Sequence, residues 1–88
     1  MDRLREAPAV SPSQRRILRF FQEHPQAVET VRGISTWIGL EPKMILEALE
    51  GLVSRKWLVP IKTSAVTGYT LTRNERLLGQ IQEALKGP

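Results

Sequence analysis

The sequence contains no cysteine, and only one histidine and one aspartate, in 88 residues. Without cysteine there is no disulfide, no thiolate nucleophile and no ordinary structural zinc site. His24 has neither cysteine nor clustered carboxylates to join it, so it cannot anchor a metal. The lone aspartate, Asp2, sits at the N-terminal end, which leaves no serine, histidine and aspartate set for nucleophilic catalysis. The six glycines are scattered and form no phosphate-cradling loop. Apolar runs are only a few residues long, far from the roughly 20 that span a bilayer. The opening Met1-Asp2-Arg3-Leu4-Arg5-Glu6 also lacks the apolar stretch of a signal peptide. These absences argue against an enzyme, a cofactor, a metal site and a membrane partner, and a cytoplasmic location is the expectation.

What is present describes a small globular domain. Hydrophobic residues make up 41% and charged residues 25%, outside the range of disordered chains. The length suits a single domain. A formal net charge of +4 and a pI of about 10.1 favour an anionic partner, nucleic acid first.

Residues 1–10 hold Pro8 and few large apolar groups, and read as a flexible arm ahead of a domain over 11–88. Ser11, Pro12 and Gln14 compose a capping box that opens a helix, in which Ile17, Leu18, Phe20 and Phe21 recur at helical spacing. Pro25 ends it, with His24 as a surface or capping residue. Ala27-Val28-Glu29 is long enough for one short strand. Thr30 then caps a second helix with a stripe of Val31, Ile34 and Ile38, stopped by Gly39. A third helix over about 42–55 places Ile45, Leu49 and Leu52 on one face. Trp57 to Lys62 reads as a strand that Pro60 confines to a sheet edge, Thr63 to Gly68 as a loop, and Tyr69 to Thr72 as the returning strand. Thr72, with Glu75 three residues on, composes a second capping box for a closing helix over 73–86. Two helices joined by Gly39-Leu40-Glu41 and followed by a hairpin describe a helix-turn-helix with a wing. The fold class is therefore α+β, mostly α: three helices, a β-hairpin wing and a C-terminal helix.

From Ile38-Gly39-Leu40 through Leu58-Val59, and again at Tyr69-Thr70-Leu71-Thr72, the sequence resembles the winged-helix core of MarR- and ArsR-type transcriptional regulators. The resemblance implies double-stranded DNA as partner, the helix over 42–55 in the major groove and the wing over 57–72 on the backbone. Lys43, Met44, Leu46 and Glu47 would then face the bases, Lys62, Thr63 and Ser64 would lie on the wing, and Arg32 near the backbone. Two features depart from the pattern. One lysine against three glutamates from Glu41 to Val53 is a poor surface to lay beside phosphates, although glutamate can accept from the cytosine amino group. Lys56 stands where a glycine usually precedes the first wing strand, so a turn of different shape is expected there.

The alternative use of the same helix is a protein-binding adaptor that presents Met44, Leu46, Glu47 and Glu50 to a protein partner. Trp37 beside the second stripe and Trp57 at the start of the wing both read as core or core edge, with partner contact as the other use. In the closing helix Leu77, Leu78, Ile81 and Leu85 make a stripe wider than one packing line needs, which predicts a two-fold homodimer through that helix.

Overall fold

The structure, a computed structural model, describes residues 9–86. Helix α1 spans Pro12–Glu23, strand β1 Val28–Thr30, helix α2 Val31–Ile38 and helix α3 Pro42–Ser54; strands β2 and β3 span Leu58–Lys62 and Thr67–Leu71, and helix α4 spans Glu75–Lys86. No helix among the described residues is long and apolar enough to cross a membrane.

The expected capping box opens α1. Ser11 Oγ accepts from the Gln14 N–H at 3.1 Å, and Gln14 Oε1 accepts from the Ser11 N–H at 3.0 Å. This fixes the phase of the helix, so Ile17, Leu18, Phe20 and Phe21 all turn inward. Thr30 caps α2 by accepting from the Gly33 N–H, and Gly39 ends it at φ 83°, the left-handed region that a side chain disfavours. Helix α3 buries Ile45, Ala48, Leu49 and Leu52. Together with Ile34, Trp57, Leu58, Leu71, Ile81, Ala84 and Leu85, these residues form one core cluster.

The end of α3 corrects the expectation for Lys56. The turn keeps its left-handed shape, with Lys56 at φ 65°. The Lys56 N–H reaches the Val53 carbonyl at 2.9 Å and the Trp57 N–H reaches the Leu52 carbonyl at 3.0 Å, a complete Schellman closure. Trp57 and Leu52, the apolar pair that accompanies such a closure, are both fully buried.

The hairpin forms with β2 antiparallel to β3, and β3 begins at Thr67, two residues earlier than the sequence reading. β1 runs from Val28 to Thr30, one residue later than read, and pairs with the other side of β3. The sheet order β1-β3-β2 makes β2 an edge, where Pro60 costs no ladder hydrogen bond on its solvent side.

Helix α4 starts two residues later than expected. Asn74 Oδ1 accepts from the Leu77 N–H and is the cap, whereas Thr72 is buried. The Thr72 N–H donates to the Trp57 carbonyl and its hydroxyl accepts from the Asn74 N–H, so this residue ends the sheet rather than opening the helix. Of the arm read over 1–10, residues 1–8, with Arg3 and Arg5, lie outside the described residues. Val10 packs against the core and the Ala9 carbonyl accepts from Arg55, so these two residues belong to the domain.

Candidate nucleic-acid interface

The turn between α2 and α3 is three residues long and tightly tied. The Gly39 N–H donates to the Ser35 carbonyl, the Ser35 hydroxyl donates to the Leu40 carbonyl, and Arg16 Nη2 donates to the Ile38 carbonyl at 2.6 Å. α3 leaves this turn with one face in the core and Lys43, Met44, Leu46, Glu47 and Glu50 in solvent. Across α3, Gln14 Nε2 donates to the Ala48 carbonyl at 3.4 Å and helps hold the helix against α1.

The structure sorts the expected contact residues into separate places. Leu46 and Arg32 share a shallow depression with Val31, Val66, Thr67 and Tyr69, between α3 and the wing. Lys62 lines an adjoining depression with Glu50, Val53, Pro60 and Tyr69. Met44 and Glu47 lie on the opposite flank of α3, beside Ser11, Ser13 and Gln14 of the first helix. Half-buried Tyr69 lines both wing-side depressions. Sequence reasoning placed it at the start of the returning strand but gave it no part in a site. The period of two that aims Leu71 at the core aims Tyr69 at α3.

Electrostatically this face is mixed. The side chains of Arg32, Lys43 and Lys62 are exposed and make no hydrogen bond or ion pair among the described residues. Glu41, Glu47 and Glu50 are exposed on the same helix or at its cap.

Thr63 has another occupation. Its hydroxyl accepts from the Ala65 and Val66 N–H groups at 3.2 and 3.1 Å and donates to the Val66 carbonyl at 3.0 Å. A hydroxyl offers one proton and two lone pairs, so the wing turn uses all of them and leaves none for a phosphate. Ser64 is exposed at the tip.

The four α4 residues expected to join two chains are turned toward this chain's own core. Ile81 and Leu85 are buried, and Leu77 and Leu78 are half-buried against the same cluster. No residue of α4 is among the exposed large apolar side chains. α4 is tied to the rest of the domain where Trp57 Nε1 donates to Gln80 Oε1 and Arg15 donates to the Leu85 carbonyl. Trp57 is core as expected, but Trp37 is 65% exposed.

A helix-turn-helix with an exposed second helix, followed by a hairpin wing pinned by a third strand, defines a winged-helix domain. Solved structures share this architecture. The YusO protein from Bacillus subtilis superposes with a TM-score of 0.71 at 18% identity, over 88% of this chain and 54% of that one. RV1404 from Mycobacterium tuberculosis gives 0.65 at 17% identity, and a MarR family protein from Bacillus stearothermophilus 0.64 at 17% identity, each over the same shares. The chain thus spans about half the length of these structures, and at such identities the likeness is one of fold: the MarR-like winged helix that the sequence resembled. No protein-family profile matches the sequence, and no curated protein does.

Proposed function

We propose that this domain binds double-stranded DNA as the reading head of a transcriptional regulator, with α3 in the major groove and the wing against the backbone. The observation that carries the reading is the exposed α3 face bordered by three cations, Arg32, Lys43 and Lys62, that have no partner among the described residues. Cations without protein partners are available to phosphates, and the net charge of +4 supports an anionic partner. In this reading Met44, Leu46 and Glu47, all exposed on α3, would meet base edges, with Glu47 suited to a cytosine amino group. The wing contributes Lys62 and Ser64, while Thr63 shapes it. A pairing of two domains on adjacent half-sites would draw on the exposed part of the α4 stripe at Leu77 and Leu78, and sedimentation with and without duplex tests for it.

A salt series of binding to random duplex DNA tests the reading. Each neutralised phosphate adds about 0.9 to the slope of log affinity against log salt. Lys62→Ala should therefore reduce the slope by roughly one and weaken binding alike on all sequences. Affinity that is absent or flat in salt would overturn the proposal in favour of a protein-binding use of Met44, Leu46, Glu47 and Glu50.

A further inference from the structure

A second surface lies on α1 and α2, and it shares no lining residue with the depressions beside α3 and the wing. Its floor is aromatic. The Phe20 ring lies 4.9 Å from His24 and 5.8 Å from Trp37, and His24 and Trp37 are 6.2 Å apart, all in tilted contact. Phe20 is buried beneath, while Trp37 leaves 65% of its surface in water. Arg16 and Arg19 flank the rings. Arg16 spends one N–H on the Ile38 carbonyl and keeps others, and Arg19 makes no hydrogen bond or ion pair among the described residues. Glu23 is the one acidic group in the lining.

We propose that this α1–α2 face is a docking site for an acidic peptide segment that carries an aromatic or aliphatic side chain. The apolar side chain would cover Trp37 over Phe20 and His24, and the flanking carboxylates would meet the guanidinium groups of Arg16 and Arg19. Exposed tryptophan beside arginine is the composition of energetic centres in protein interfaces. Planar guanidinium groups match carboxylates in bidentate geometry. Duplex phosphates could use the arginines, but they offer no apolar group to cover the indole. The site is independent of the DNA reading, because a partner here leaves α3 and the wing uncovered.

The test uses a synthetic twelve-residue peptide with a central phenylalanine among glutamates. Two controls replace the glutamates by lysine and the phenylalanine by alanine, and random duplex DNA is assayed in parallel. Trp57 is buried, so Trp37 fluorescence reports on the surface. The expected result is a saturable blue shift with the acidic phenylalanine peptide and with neither control. Arg19→Glu, followed by Trp37 fluorescence, and Trp37→Ala, followed by titration calorimetry because it removes the reporter, should each weaken that binding by roughly tenfold or more. Arg19→Glu should also leave the unfolding midpoint and the duplex affinity unchanged. No saturable shift up to millimolar peptide would overturn the proposal. So would equal binding of the lysine peptide, or a loss of duplex affinity in Arg19→Glu that matches its loss of peptide binding.

Discussion

Lys56 carries a backbone conformation that its side chain disfavours. A left-handed L-residue costs roughly 1–2 kcal/mol, and glycine gives back about 0.5–1 kcal/mol of that through the freedom of its unfolded chain. Lys56 is exposed, so no packing offsets the difference. Lys56→Gly should therefore stabilise the domain by about 0.5–1 kcal/mol, read as a higher urea midpoint at unchanged m-value. The opposite outcome belongs to the core side of the preceding helix. Leu49→Ala should cost about 2–5 kcal/mol, because Leu49 is fully enclosed. Glu47→Ala, two residues away on the solvent side, should stay within about 0.5 kcal/mol. Similar losses for both would mean that α3 is turned the other way. These inward positions were legible in the sequence because spacing alone sets them. Trp37 was not: it stands one residue before Ile38 at the margin of a stripe on an eight-residue helix, where spacing leaves both burial and exposure open.

At the scale of elements, caps and turns divide into those that sequence decides and those that it leaves between neighbours. For α1, Ser11 and Ser13 are both good caps, but only Ser11 has Pro12 directly after it and Gln14 three residues on, and the box formed as read. For α4, Thr72 and Asn74 are both good caps two residues apart. The tie is broken by the Trp57 carbonyl, which takes the Thr72 N–H and holds that residue against the end of the sheet. The wing teaches the same lesson about Thr63. A threonine at a hairpin tip looks available to a phosphate until its three hydrogen bonds within the loop are counted. Thr63→Ala should speed amide hydrogen exchange at Ala65 and Val66 by loosening the turn, with any loss of DNA affinity following from that. Unchanged exchange with weakened DNA binding would instead make Thr63 a direct contact.

For the whole molecule, the feature that spacing leaves open is the breadth of the α4 stripe. A sequence counts apolar residues but does not say how much core lies beneath them. Here Ile81 and Leu85 are covered within the chain, while Leu77 and Leu78 pack on the same cluster and keep part of their surface in water. The charge distribution was legible only as a sum. The +4 total does not reveal that the cations near α3 have no partner among the described residues while Arg15 and Arg55 are tied to backbone carbonyls.

The strand order has a consequence for the path by which the chain folds. β2 and β3 meet across a four-residue loop, whereas β1 reaches β3 only by closing a loop from Val28 to Thr70. Closing the longer loop costs more chain entropy, so the hairpin forms first and β1 joins it late. Thr70 Oγ1 donates to the Ala27 carbonyl at 2.9 Å, a contact that belongs to this late step. Thr70→Val keeps the branched shape and removes the bond, for about 1 kcal/mol. In stopped-flow measurements the unfolding arm should rise about fivefold while the folding arm stays in place, the signature of an interaction absent from the transition state. A slowed folding arm would mean that β1 is already docked at the barrier, and that the wing is assembled on it rather than before it.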